Sequence, residues 1–193
     1  SSLGINASSL LALVSILGLA VSLAVKDSLS NLAGGLTILG TKPFKVGDYV
    51  QIDDIEGTVQ DIGLVYTSLT TWDNRRILVP NSTVVDAEVT NYTTEPLRRV
   101  DLTITASYGA SVEEVKNVIQ GVLARHDKVL KDPAPFARLS SYGDNALGYA
   151  VRAWCRTEDY WDVYYDLLEE LKSAFDAAGL SIPYPQMEVT LRK

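Results

Sequence analysis

The chain has 193 residues, enough for one or two ordinary domains beside a membrane segment. A net charge of −7 argues against a nucleic-acid partner, because binding phosphates needs a basic surface. The single cysteine, Cys155, excludes an internal disulfide framework and a cysteine-based metal site, and fits a reducing compartment. The chain opens Ser1-Ser2 and its one methionine is Met187, so a longer protein with further membrane spans is expected around it.

Ser1 to Val25 carries no charge, and Lys26 and Asp27 then follow together. A bilayer core of ~30 Å needs about 20 apolar residues, which Ile5 to Val25 supplies. No basic region precedes this run, as a cleaved signal peptide would require. Asn6, Ser8, Ser9, Ser15 and Ser22 dilute it, which fits a helix lining a bundle or an aqueous path better than one facing lipid all round. At about 100° per residue, Ile16, Leu19 and Leu23 form one stripe. Gly18 and Ser22 lie to one side of that stripe, and Ala20 and Ala24 to the other. Copies arranged in a ring pack one small-residue face on the next, leaving leucines on the axis. That is the geometry of a pore. The first basic residues afterwards, Lys26, Lys42 and Lys45, place the C-terminal side in the cytoplasm.

Asp27 and Ser28 are good N-cap residues, so a break is expected near Lys26–Asp27, with a second amphipathic helix over Ser28 to Thr41. Gly34-Gly35 inside that helix is costly in water and, beside Ala33, reads as a site of close helix packing rather than a flexible spot. Pro43 ends the helical region. From Val46 to Val89 the chain turns to β-type sequence, with turns at Asp53 to Gly57 and at Trp72 to Arg75. Pro80-Asn81-Ser82 reads as a turn or a helix start. Several short strands in about fifty residues predict a small β-barrel or sandwich.

A third pattern starts at Arg98. Val100 to Ser107 alternates, then Val112, Val115, Val118, Ile119, Val122 and Leu123 recur at helical spacing after Ser111. Strands are expected at Arg138 to Tyr142 and Leu147 to Arg156, a helix at Tyr160 to Ala178, and a last strand at Met187 to Leu191. The order β-α-β-β-α-β is ferredoxin-like. The last strand follows Ile182-Pro183-Tyr184-Pro185, held extended by its prolines, and either completes the domain or pairs with other copies.

Catalytic patterns are missing from the sequence: no P-loop, no dinucleotide fingerprint, and no histidine beside Cys155 to activate it. His126, between Arg125 and Asp127, reads as a solvated residue at a helix end. Asp159, Asp162 and Asp166 share a helix face and read as a solvated acidic surface rather than a cation site. Asp53 to Gly57 lacks the twelve-residue calcium-loop pattern. No enzymatic activity, cofactor or metal is expected.

Separated motifs then carry a resemblance: Gly18-Leu19-Ala20-Val21, Ser28 to Gly35, Pro43-Phe44-Lys45-Val46-Gly47-Asp48-Tyr49-Val50, Glu56-Gly57-Thr58-Val59, Val79-Pro80-Asn81-Ser82 and Pro183-Tyr184-Pro185-Gln186-Met187. In this order they resemble the small-conductance mechanosensitive channel family, MscS, over essentially the whole chain. The resemblance implies a membrane α-helix plus α+β fold. Its parts would be a kinked pore-lining transmembrane helix with its extension over 1–41 and a small Sm/SH3-like β-domain over 42–96. A ferredoxin-like α/β domain would cover 97–183, and a strand at 184–193 would form a parallel β-barrel between subunits.

The resemblance further implies a homoheptamer in a bacterial inner membrane, multi-pass, with residues after about 41 forming a cytoplasmic vestibule. Such a channel opens under bilayer tension and releases ions and small osmolytes on hypo-osmotic shock, so its partners are identical subunits, membrane lipids and permeating solutes. Leu19 and Leu23 correspond to the pore-sealing leucine rings, the same two residues that the stripe singles out. Gly18, Ala20, Ser22 and Ala24 would pack the pore helices. Lys26 and Asp27 stand at the kink and pore exit, where well-known members often carry glutamine-glycine. Leu29 corresponds to a position touching other membrane helices, and Asn31 to an asparagine touching the β-domain around Asn81 and Ser82. The competing expectation is a membrane-anchored oligomeric scaffold or ligand-binding module that does not conduct. A soluble protein with residues 1–41 buried is a third.

Overall fold

The computed structural model describes residues 7–185. The chain divides into two compact units, Ser1–Thr94 and Glu95–Lys193.

In the first unit, α1 (Ala7–Thr41) is a single helix of 35 residues, about 52 Å long at 1.5 Å per residue. The expected break at Lys26–Asp27 is not there. Neither residue is glycine or proline, so nothing stops the hydrogen-bond ladder, and Asp27 and Ser28 sit inside the helix rather than capping a new one. The Asn31 Nδ2 donates back to the Asp27 carbonyl at 2.9 Å, occupying that carbonyl from within the helix. The helix ends where Lys42 turns to φ 51° and its N–H bonds the Ile38 carbonyl at 2.8 Å, just before Pro43.

Beyond it lie β1 (Tyr49–Ile52), β2 (Ile55–Ile62), β3 (Tyr66–Thr70), β4 (Arg76–Pro80), α2 (Asn81–Asp86) and β5 (Val89–Asn91). They form one antiparallel five-stranded sheet in the order β4-β3-β2-β1-β5. The turn expected over Asp53 to Gly57 is shorter, confined to Asp53-Asp54, because Ile55, Glu56 and Gly57 already pair with β1, while the turn at Trp72 to Arg75 falls as expected; φ is positive at Asp53 (49°) and Asn74 (63°). The core is Val50, Ile52, Val59, Leu69 and Val79 from the strands, Val84 from α2, Phe44, and Ile38 from α1.

The second unit runs β6 (Leu97–Ala106), α3 (Val112–Arg125), β7 (Phe136–Tyr142), β8 (Leu147–Arg156), a 3-10 turn (Thr157–Asp159) and α4 (Tyr160–Ala177). The sheet order is β6-β8-β7, antiparallel throughout. Together with the β-α-β-β-α succession this is the ferredoxin-like arrangement; the expected final strand at Met187 to Leu191 lies outside the described residues. Val115, Ile119, Val122 and Leu123 of α3 and Val163, Leu167, Leu171 and Phe175 of α4 recur at helical spacing and cover one face of the sheet. Ser111 stands at the N-cap of α3, yet its hydroxyl makes no capping bond. Gly179, at φ 68°, follows the end of α4.

Candidate functional site

Helix α1 has two unlike halves. From Ser8 to Ser30 every residue is exposed, including Ile16, Leu19 and Leu23, each more than 60% accessible. Soluble monomers rarely leave twenty-three consecutive positions of this apolarity exposed to water. They form a helix long and apolar enough to cross a membrane. Being helical throughout, the segment places Leu19 and Leu23 on one stripe, with Gly18 and Ser22 on one flank and Ala20 and Ala24 on the other. A methyl group built on Gly18 meets nothing within 4 Å, so the flank is open in the single chain.

The second half is docked. Gly34, Gly35 and Ile38 are buried and Asn31 half-buried, the i, i+3, i+4, i+7 face of a helix lying against protein. The glycines are there for proximity. A Cβ on Gly34 would stand 2.8 Å from the Asn81 backbone, and one on Gly35 only 2.5 Å from the Leu64 carbonyl oxygen. Close packing, not flexibility, is thus what Gly34-Gly35 provides.

At the same contact the Asn31 Oδ1 accepts from the Ser82 backbone N–H at 3.0 Å and from the Ser82 hydroxyl at 2.8 Å. The Ser82 N–H belongs to the first turn of α2, where helices leave donors unpaired, and Pro80 before it contributes no side-chain cap. Asn31 therefore caps α2 from a distance of 51 residues in sequence. Asn81 is fully buried with both ends of its amide bonded: its Oδ1 accepts from Thr67 Oγ1 at 2.8 Å and its Nδ2 donates to the Gly63 carbonyl at 2.8 Å. Its backbone N–H reaches the Val65 carbonyl at 2.9 Å.

The structure thus brings Asn31, Asn81 and Ser82 together. It does not bring Leu29 to them; that side chain is 63% exposed. Lys26 and Asp27 are exposed and make no ion pair among the described residues. Sequence reasoning missed Thr67, Gly63 and Leu64, whose role here is to bond or crowd Asn81 and Gly35; no local pattern marks them.

Elsewhere the chemistry is structural. Cys155 is fully buried, its Sγ 3.7 Å from the Arg98 carbonyl, and burial above all raises its thiol pKa, the reverse of nucleophile activation. The reading of His126 as solvated is corrected: its ring is only 5% exposed, with Nε2 3.7 Å from an Asp166 oxygen and Nδ1 accepting the Lys128 N–H at 3.2 Å. Nor is the acidic face of α4 merely solvated, because Lys128 bridges Asp159 at 2.9 Å and Asp162 at 2.7 Å. The two carboxylates raise its ammonium pKa, Asp162 first. No cluster of histidine, cysteine and carboxylates able to hold a metal occurs among the described residues.

Two family models match the chain in succession. "Mechanosensitive ion channel, beta-domain" covers residues 27–94, and "Mechanosensitive ion channel MscS, C-terminal" covers residues 100–182. The small-conductance mechanosensitive channel of Helicobacter pylori is 31% identical over 193 residues, all of this chain and 70% of that protein. The chain belongs to the MscS family. An Edwardsiella ictaluri small-conductance mechanosensitive channel is 38% identical across 90% of the chain, which spans 61% of that relative's length. The crystal structure of Helicobacter pylori MscS in its closed state superposes with a TM-score of 0.93 at 30% identity, covering 98% of this chain and 76% of that one. Arabidopsis thaliana MSL1, at 24% identity and a TM-score of 0.82, shares the fold. MscS-family proteins are channels rather than enzymes, and they are membrane proteins. The first MscS model begins at Asp27, so the docked half of α1 is matched together with the β-domain.

Proposed function

We propose that the chain forms a mechanosensitive channel, opened by membrane tension, that releases ions and small osmolytes during hypo-osmotic shock. The observation carrying this reading is the fully exposed apolar half of α1, with its leucine stripe between two small-residue flanks. In a ring of identical subunits, a homoheptamer by resemblance, Gly18 and Ser22 of one copy receive Ala20 and Ala24 of the next. Leu19 and Leu23 then close the axis. A constriction of leucines excludes ions by dewetting, because an ion entering it loses hydration that no side chain replaces. Tension favours the state of larger in-plane area, so opening needs no ligand and no chemical step. Lys26 and Asp27 stand at the pore exit, Leu29 faces other membrane helices, and Asn31 with Asn81 and Ser82 couples the pore helix to the β-domain. The location proposed is a bacterial inner membrane, multi-pass, with residues after about 41 in the cytoplasm and 184–193 closing the vestibule as a barrel. Patch-clamp recording of the reconstituted full-length protein under suction tests this. Stepwise currents rising with tension are expected; absence of any tension-activated current would sink it and favour a non-conducting scaffold.

A further inference from the structure

In the second unit the helices cover one face of the sheet, and the other face carries an unusual set of side chains for so acidic a protein. Strand register puts Phe136 of β7, Arg152 of β8 and Asp101 of β6 in one row, and Arg138, Ala150 and Thr103 in the next. Trp154 lies opposite Arg99 on the far side of the first row. Alternation confirms the face: Tyr149, Val151 and Ala153 are buried, whereas Arg152 is exposed.

Arg99 forks onto Asp101, donating from Nε and Nη2 to its two oxygens at 2.7 and 2.9 Å. Arg152 gets only the remainder, 3.9 Å from an Asp101 oxygen already taken, and Arg138 has no carboxylate among the described residues. Both guanidinium carbons lie over the same ring, 5.4 Å (Arg152) and 5.8 Å (Arg138) from the Phe136 centroid. Phe136 itself is 37% exposed. Between the two arginines sits Ala150, too short to fill the space, with the Thr103 hydroxyl beyond it.

Arg138, with no carboxylate partner among the described residues, and Arg152, held by Asp101 only at 3.9 Å, near the limit of an ion pair, can offer forked N–H pairs to one carboxylate group. An exposed ring and an alanine floor beside them suit an apolar body attached to that carboxylate. We infer that this sheet face, centred on Phe136, Arg138, Ala150 and Arg152, is a binding site for small organic carboxylates with an apolar body. Exposure and salt screening make it a weak site, working in the millimolar range and exchanging fast. The site lies within one unit of one chain, so its binding is independent of whether the protein conducts.

The test uses full-length protein in lipid nanodiscs in which every tryptophan but Trp154 is replaced by phenylalanine, Trp72 and Trp161 among them, so that Trp154 reports on the face. Cyclohexanecarboxylate, which does not absorb where tryptophan does, is titrated at constant ionic strength, with acetate, inorganic phosphate and chloride as comparisons. A saturable change in Trp154 emission is expected for cyclohexanecarboxylate, several-fold weaker for acetate. Arg138→Gln with Arg152→Gln should weaken it at least tenfold without altering the anion-free spectrum. Asp101→Asn should tighten it several-fold, by releasing Arg99 and Arg152. Equal response to chloride, or saturation that survives the double arginine variant, overturns the site. Equal saturation by phosphate overturns the assignment to carboxylates. A loss of affinity in Asp101→Asn also counts against it, because that change removes only a competing acceptor.

Discussion

Asn31 holds two donors with a single oxygen, and both donors belong to Ser82. Replacing it with alanine leaves the Ser82 N–H half-buried without its acceptor, which costs about 1–2 kcal/mol by the usual penalty for an unmade bond. Asn31→Asp keeps the acceptor for Ser82 but sets a carboxylate oxygen where Nδ2 donates to the Asp27 carbonyl, so it should lose part of what Asn31→Ala loses, whereas Ser82→Ala removes only the hydroxyl bond and should cost roughly half as much as Asn31→Ala. Thermal unfolding midpoints of the purified variants check this order. A smaller loss for Asn31→Ala than for Ser82→Ala would show that the oxygen is not what matters. Asn31, Asn81 and Ser82 could be named from the sequence because they sit inside recognisable motifs. What they do could not, since Asn81 is satisfied by Thr67 and Gly63, which are 14 and 18 residues away and carry no motif. His126 differs from a solvated helix-end residue in the same way: its ring lies 3.7 Å from Asp166 of α4, 40 residues further along the chain.

At the scale of elements, the joint between α1 and the β-domain depends on two absent side chains. A methyl group on Gly35 would meet the Leu64 carbonyl at 2.5 Å, and backbone cannot swing aside as a side-chain tip can. Gly35→Ala should therefore push α1 off the β-domain at a cost of about 1–3 kcal/mol. Gly40→Ala, where nothing lies within 4 Å, should be neutral or gain up to about 1 kcal/mol through helix propensity. Comparing the two unfolding midpoints separates contact from propensity; a stabilising Gly35→Ala would refute the close-packing role. The strands and the helices of the second unit were legible because turn residues and 3.6-residue periodicity mark them locally. The unbroken α1 was not, because Asp27 and Ser28 favour a cap, and their small propensity cost inside a helix is offset by the packing that holds its far end, which no local pattern reveals. Continuity has a mechanical consequence. Ala20 and Ala24 stand eleven residues before Asn31 and Gly35, within about 20° of the same faces. Any rotation of the docked half then turns the leucine stripe with it.

For the whole molecule, the pore reading makes the apolar ring and the charge below it separately testable. Burying a leucine is worth about 1.5–3 kcal/mol per side chain, and a ring multiplies that by the number of subunits. Leu19→Ser or Leu23→Ser should thus lower the tension threshold markedly, measured as the suction at half-maximal current; an unchanged threshold for both would place the seal elsewhere. Lys26 follows Leu19 by seven residues, and in an uninterrupted helix it returns to within about 20° of the same stripe. Ringed around the exit, such lysines would enrich anions at the mouth while leaving the leucine seal untouched. Lys26→Gln should then leave the threshold unchanged and move the reversal potential under a salt gradient toward the cation equilibrium potential. The shift should shrink as total salt rises, because the lysine field is screened over about 10 Å at 0.1 M. A reversal potential that Lys26→Gln does not move rejects the lysine ring; if pairing with Asp27 of a neighbouring copy is the reason, Asp27→Asn moves it in the anion-favouring direction, and by more at low salt.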